Sequence, residues 1–558
     1  MAFVRGRGFT SAAALLGYTT ISFLYFGVRV LWHPGRLIVG IGGDPQIFVW
    51  SMAWWPHAIL QGDNPLVTHA IWAPDGLNLA WTTSVPAVAV AVAPVTLLFG
   101  PVVGYNVAAV LLPALAAWTA FLLFRHVTRA FWPAAVGGYL FGFSSYMLGQ
   151  ELGHMHMTSV FLVPLVALVV LRFIEGELTG AGFAWRLGVL LGAQLYLSTE
   201  LVFTVSLSLA LGLVCLYAVS TEARPRLRTL PRPLLGAYAV AAAIGFPLVL
   251  YALLGFKTET VNPPKSYSAD LANFVVPTRL IALGGGAATS LVAHFPGNDA
   301  ERGAYIGIPS LLILGWFVWS ARRRSSGRFL AAAALVSAAM ALGTSLWVAG
   351  RRLGPLPWDL ISRLPVFNNV LPVRLTLFTS LAAATAVVLW SADRTRARWL
   401  RVVLPAAAVL ALVPTLRQPD WRSHPDRPKF FAHRNLVKAC LPRNENVLVY
   451  PYSFHDSSML WQAENNFYFR MAEGYLRPDT PESFAHYPAV YKGNRGEIPT
   501  IGDIMQLARA KHVDRILSVN GNPYPSGDDL GKAHLTIQLY GGVLIAPGCG
   551  HPSLNTRR

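Results

Sequence analysis

The sequence predicts an α-helical polytopic membrane protein of about eleven transmembrane spans, followed by a small C-terminal extracytoplasmic α/β domain. Three observations carry this expectation. The 558 residues are 54% hydrophobic and only 13% charged, with a mean hydropathy of +0.45, far from the composition of a soluble domain of that length. Apolar runs near bilayer-spanning length recur from residue 11 to about residue 416, bounded by arginine clusters or by Pro, Gly and Trp. Beyond that point the long apolar runs stop, and Pro, Asn, Asp and Tyr become frequent.

The net charge of +18 would point to nucleic acid in a soluble protein, but here the basic residues sit in short loops between apolar runs. They read as topology signals, and nucleic acid is excluded as a partner. The N-terminus, MAFVRGRGFTSAAALLGYTTISFLYFGVRVLW, has a charged start, an apolar segment longer than a signal-peptide core and no clear cleavage site, which predicts an uncleaved first span.

Arg5 and Arg7 place the N-terminus in the cytoplasm, so residues from about 32 to 84 fall outside. The following apolar stretch, 84 to 124, is too long for one span and is broken by Gly100–Pro101. Reading 84 to 99 as a juxtamembrane or re-entrant segment puts every strong basic cluster inside: Arg125 and Arg129, Arg172 and Arg186, then 222–233, 321–328 and 393–401. The spans then lie near 11–31, 103–124, 132–148, 158–173, 186–199, 201–219, 234–254, 305–320, 329–349, 371–391 and 400–416. An odd number leaves 417–558 outside. The expected division is a transmembrane domain, 1–416, with a large first exterior loop at 32–102, and an exterior domain, 417–558, in a plasma or inner membrane.

Within the tail, NVLVYPY (446–452) reads as a strand, GDIMQLARAKHVDRILSVN (502–520) as a helix running into a strand, and LTIQLYGGVLIAP (535–547) as a hairpin. Cys215 lies in an apolar span. Cys440 and Cys549 both lie in the tail and could form a disulfide if that region is extracytoplasmic.

On this topology the ionisable residues at span ends gather on the outside, where they are the first candidates for function. Asp44 precedes Pro45 and a tryptophan-rich helix, so it suits either a helix cap or chemistry. Asp63 and Asp75 sit in ordinary turn sequences. Glu151, His154 and His156 follow the third span; H-x-H with a nearby Glu could ligate a metal, but no HExxH-like spacing supports it. Glu200, in LSTEL, faces a polar cavity or helps start the next span. Arg374 is an outside arginine, against the charge bias elsewhere; it either snorkels to headgroups or binds a phosphate through its paired donors. Lys265 and Arg302 are similar candidates. The tyrosine-bearing YPY and GYLRP stretches of the tail suit a buried core or stacking on a glycan.

One acid soon after the first span, a long first exterior loop with a juxtamembrane segment, Gly153–His154 near the outer end of the third span, ExxxYIG (301–307) before the eighth and PVR (372–374) at the tenth form an ordered set. Together they resemble the GT-C superfamily of polyprenyl-phosphate-sugar-dependent membrane glycosyltransferases, including the YfhO-like and related bacterial groups, over residues 1–416. The resemblance implies a glycosyltransferase that takes a sugar from a polyprenyl-phosphate donor to a glycan, lipid or protein acceptor of the cell envelope. Its acceptor-side acid matches Asp44. Many members carry two acids there, whereas GGDPQ has one, which favours a metal-free mechanism with no cofactor. In that chemistry Asp44 removes a proton from the acceptor hydroxyl as the lipid phosphate leaves from the opposite face, an inverting transfer. Arg374, Lys265 and Arg302 would stabilise the phosphate, and Glu151, His154 and Glu200 would position sugar hydroxyls. The rival readings are a transporter or flippase of lipid-linked glycans and a non-catalytic membrane scaffold. The matched halves common in transporters are not visible in the sequence.

Overall fold

The computed structural model describes residues 2–255, 262–364, 367–417, 421–451, 457–476, 480–522 and 524–556. Residues 452 and 477–478, which belong to stretches singled out above, lie outside the described residues. The chain forms two compact units. One comprises Met1–Trp32, Ala108–Pro247 and Lys257–Arg422; the other comprises His33–Val107, Leu248–Phe256 and Ser423–Arg558. Residues 33–107, most of which the sequence groups with the spans as a first exterior loop, thus share a unit with the C-terminal tail.

The first unit is helical. Among the described residues five helical segments are long and apolar enough to cross a bilayer: Thr10–Arg29, Pro101–Thr128, Met155–Ile174, Thr199–Val219 and Pro372–Ala392. A sixth is obtained if Pro231–Ile244 and Phe246–Leu254, interrupted at Gly245, count as one. Ile308–Ser320, Ser325–Ala341 and Leu400–Leu410 are shorter apolar helices at three other expected spans. The expected span at 132–148 is divided between Phe131–Gly142 and Ser145–Gln150, with Ser144 capping the second piece. The stretch 84–99 forms two helices, Pro86–Ala91 and Ala93–Phe99, each too short to cross. Only 11% of an apolar window of Thr199–Val219 is buried, and most of that helix is partly exposed.

Small residues set how these helices meet. A Cβ on Gly138 would collide with the Tyr18 side chain and the Ala117 carbonyl, and one on Gly142 with the Ala117 backbone. The i, i+4 glycine pair lets Phe131–Gly142 press against the helix Pro101–Thr128, the close approach that membrane helices use where burial of apolar surface supplies no drive. Gly188 and Gly192 do the same toward Ala237, Val240 and Ile244 of the helix Pro231–Ile244.

The second unit is built on a five-stranded sheet. Its centre, Arg515–Val519, pairs in parallel with Asn446–Tyr450 and antiparallel with Val543–Ala546. Gln538–Tyr540 closes one edge as a hairpin, and Arg470–Met471 lies parallel to Asn446–Tyr450 on the other. Asn446–Tyr450 is buried along its whole length, as a continuous apolar run in a parallel pairing requires. The helix Ile501–Ala510 leads into the central strand and opens with a capping box of Thr500 and Asp503. These elements lie within the stretches that the sequence marks as a strand, a helix running into a strand, and a hairpin. Cys440 and Cys549 are bonded.

Residues 70–73 extend this sheet. The Met471 amide donates to the Ala70 carbonyl at 2.8 Å, and the Ala73 amide to the Met471 carbonyl at 2.9 Å. The helix Asp44–Gln61 packs against Ser458–Glu464, where one side chain joins three segments. The buried Gln462 accepts from Trp50 Nε1 at 2.8 Å and donates to the carbonyls of Ala70, at 2.7 Å, and Phe469, at 3.0 Å.

Candidate functional site

In the first unit the polar residues converge on Arg374. This residue lies in the turn Pro372–Leu375, just ahead of the helix Thr376–Ala392, and the Val373 amide bonds the Tyr267 carbonyl at 3.1 Å. Its guanidinium is buried and faces two carboxylates. Nε donates to Glu301 at 3.0 and 3.2 Å, Nη2 donates to Glu301 at 2.5 Å, and Nη1 donates to Glu200 at 2.5 Å. Glu301 also accepts from Gln150 Nε2 at 3.3 Å, and His154 Nδ1 lies 3.5 Å from it. His154 Nδ1 is 2.8 Å from Gln150 Oε1.

Local structure explains why these groups meet. Ser198 caps the helix Thr199–Val219 by accepting from the Leu201 amide, so Glu200 stands in the first turn, where the helix dipole favours its charge and its side chain is free to reach Arg374. The loop bearing Glu301 lies flush on the helix Ser145–Gln150. A Cβ on Gly149 would sit 2.5 Å from the Ala300 carbonyl oxygen, and one on Gly303 would sit 2.9 Å from Tyr146 Cα. Asn273 holds the same loop by accepting from the Ala304 amide at 3.0 Å. Burial alone would raise the Glu301 carboxyl; the charges of Arg374 and His154, with the bonds from Arg374 and Gln150, outweigh it and hold the group below its ordinary value.

Of the predicted substrate-binding residues, the structure brings Glu200, His154 and Arg374 together. Glu151 is close in sequence but buried apart; one of its oxygens has no hydrogen-bond partner among the described residues, and burial pushes its carboxyl well above the ordinary range. Arg302 points away from the cluster. It bonds the Phe295 carbonyl at 2.9 Å and Asp299 at 3.5 Å, while Asp299 also pairs with Arg279, so Arg302 braces its own loop. Lys265 is exposed, 3.9 Å from Asp359. Glu301 was missed as a site residue, although it heads the ExxxYIG stretch; the signal was an acid on the same side of the expected membrane as Arg374.

Asp44, in the second unit, is half-buried at the first position of the helix Asp44–Gln61. The N-cap is Gly43, which corrects the expectation that Asp44 itself occupies that place. Asp44 Oδ1 accepts a hydrogen bond from the Tyr475 hydroxyl at 3.1 Å. The tail stretch containing Tyr475 is otherwise buried core: Glu473 and Leu476 are almost fully enclosed.

Among the described residues, one group has ligand atoms close enough to share a metal: His126, Glu175 and Glu177. It is partly exposed, and its members are already paired, His126 with Glu175 at 2.7 Å and Glu177 with Arg172 at 2.8 Å. Neither His154 nor His156 belongs to it.

Comparison with known proteins places this architecture. The family model for a domain of unknown function, DUF6311, matches residues 14–414. No curated protein matches the chain. Among solved structures, the oligosaccharyltransferase AglB from Archaeoglobus fulgidus, in complex with an inhibitory peptide and a dolichol-phosphate, superposes with a TM-score of 0.54 at 13% identity, over 92% of this chain and 70% of that one. The arabinofuranosyltransferase AftD from Mycobacteria superposes with a TM-score of 0.54 at 14% identity, over 92% of this chain and 35% of that one. ArnT from Cupriavidus metallidurans, in the apo state, gives a TM-score of 0.50 at 14% identity over 97% and 98% of the two chains. At such identities the likeness is one of fold. This protein belongs to the DUF6311 family and has the GT-C fold of integral membrane glycosyltransferases.

Proposed function

We propose that this protein is a membrane glycosyltransferase that moves a sugar from a polyprenyl-phosphate donor to an extracytoplasmic acceptor. The observation that carries the reading is the GT-C fold shared over 92% of the chain with an oligosaccharyltransferase bound to a dolichol-phosphate. In this reading Asp44 is the base. Its carboxylate takes the acceptor proton as the new bond forms at the anomeric carbon, and the lipid phosphate leaves from the opposite face with inversion. The first turn of a helix beside the membrane supplies the fixed placement that such a base needs.

The Arg374 cluster serves the donor side. With two carboxylates on one guanidinium it carries a net negative charge when both acids are ionised, so Arg374 is not an open phosphate clamp. Glu301 is locked by its burial and its bonds to Nε and Nη2; Glu200 is the more exposed partner, and Nη1 is the donor that an incoming phosphate reaches. Lys265 is an exposed cation of the first unit, and in this reading Glu200 and His154 meet sugar hydroxyls. The topology follows the arginine bias, with the N-terminus cytoplasmic and residues 417–558 outside, and the Cys440–Cys549 bond suits an oxidising compartment.

The test is transfer by the purified full-length protein from a panel of radiolabelled polyprenyl-phosphate sugars. Asp44→Asn should lower the rate by about 10²–10⁴-fold, the span of general-base catalysis. Transfer by Asp44→Asn at the wild-type rate removes Asp44 from the mechanism. Donor lipid moved across proteoliposomes without transfer would replace this reading with a flippase.

A further inference from the structure

Asp44 and Tyr475 are 431 positions apart in the chain, yet each is fixed by the same framework. The helix that Asp44 begins is tied through Trp50 to the buried Gln462, whose amide also bonds the carbonyls of Ala70 and Phe469. Phe469 leads directly into the edge strand Arg470–Met471 and then to Tyr475. That continuation is gripped from both sides: the Ala472 amide bonds the Val447 carbonyl at 2.8 Å, and the Trp72 amide bonds the Glu473 carbonyl at 3.0 Å. Gly474 lies so close to the exterior loop that a Cβ there would stand 3.0 Å from Ile71 Cβ and 3.1 Å from Trp72 Nε1. Between the enclosed Glu473 and Leu476, Tyr475 alone is half-exposed, with its hydroxyl on the Asp44 carboxylate.

We infer that Tyr475 is a positioning residue of Asp44: its hydroxyl donates to Oδ1 and contributes to the direction in which the carboxylate meets the acceptor. The inference rests on the reading of Asp44 as the base. A base out of line by a fraction of an ångström loses rate without losing substrate affinity, so each hydrogen bond that fixes the direction of the Asp44 carboxylate counts toward the rate. Tyr475 supplies one such bond from backbone that follows the edge strand and is itself held at Ala472 and Glu473. It also makes the C-terminal tail part of the catalytic machinery rather than an appended module, because a residue that helps aim the base belongs to the tail.

Two measurements test this on the full-length protein. With 3-fluorotyrosine incorporated at position 475, the fluorine resonance should move when Asp44→Asn is introduced and stay in place with a distant surface substitution; an unmoved resonance overturns the inference, with no donor needed. In the transfer assay, Tyr475→Phe should lower kcat by about tenfold, the weight of one hydrogen bond to a charged group, and leave the KM of donor and acceptor unchanged. In an Asp44→Glu background, where the carboxylate is displaced by one methylene, the same substitution should cost less than about twofold. An equal loss in both backgrounds, or a rise in KM with kcat intact, shows a structural role and overturns the inference. A resonance that moves while Asp44→Asn retains full transfer instead overturns the reading of Asp44 as the base.

Discussion

Deleting the Arg374 guanidinium should cost far more through Glu301 than through Glu200. The Glu301 side chain is 1% exposed and accepts from Nε and Nη2, whereas the Glu200 side chain is 24% exposed and accepts from Nη1 alone. Removing one partner of a buried pair costs about 3–5 kcal/mol, because the surviving charge stays out of water with nothing opposite it. A pair with solvent access is worth about 1 kcal/mol or less. Arg374→Met is therefore expected to destabilise the protein by about 3–5 kcal/mol. Adding Glu301→Gln should restore most of the loss, since it removes the stranded charge, and adding Glu200→Gln should restore little. Arg374→Lys, which keeps the charge but replaces a planar fork by a point donor, should fall between, at about 1.5–3 kcal/mol. The assay is reversible unfolding by SDS titration in mixed micelles, because the heat-denaturation midpoint of a large membrane protein reports a rate rather than an equilibrium. Double-mutant cycles on the two pairs should give couplings of about 3 kcal/mol or more for Arg374–Glu301 and about 1 kcal/mol for Arg374–Glu200. Equal couplings, or Arg374→Met within about 1 kcal/mol of wild type, would refute the assignment of Glu301 as the fixed partner and Glu200 as the exchangeable one.

Two further outcomes are expected in the second unit. Burial pushes the Glu445 carboxyl up to about 7, against the opposing pull of Arg515, whose Nε lies 3.1 Å away. The native state thus holds a proton that the unfolded chain releases near 4.5, so this contribution to stability is full below that pH and is lost as the pH rises through about 7. Glu445→Gln should flatten the fall in stability between pH 5 and pH 8 by about 1–3 kcal/mol, and a wild-type stability that climbs over that interval would contradict the assignment. The Cys440–Cys549 bond closes a separation of 109 residues, and replacing both cysteines by serine should cost about 2–5 kcal/mol. Maleimide labelling of the unfolded, unreduced protein should reach Cys215 alone, and labelling of all three cysteines would show that the bond does not form.

Much of the architecture was legible because it depends on quantities that sum along the chain. Apolar runs and the distribution of arginines mark helices that leave water. The short apolar runs in NVLVY and RILSV mark buried strands, and the apolar spacing of GDIMQLARA marks a helix. Glu200 and Arg374, which the structure brings together, were legible for a related reason: ionisable groups at the ends of apolar runs are costly and stand out against their surroundings. The sequence was silent where neighbours in an irregular loop differ only in direction. Glu301 and Arg302 are adjacent, and no periodicity tells which one turns inward; the choice follows from Asn273 gripping Ala304 and from the close seat of Gly303 on Tyr146.

The sequence by itself determined that this is a helical membrane protein with a mixed α/β tail, because transfer of side chains out of water is local and nearly additive. Only the tertiary structure decided that Arg374 is neutralised by acids 174 and 73 positions away, that residues 33–107 form one unit with the tail, and that Tyr475 meets Asp44. Pairing of charges and hydrogen-bond donors falls off with distance and strengthens with burial, and both are properties of the folded chain.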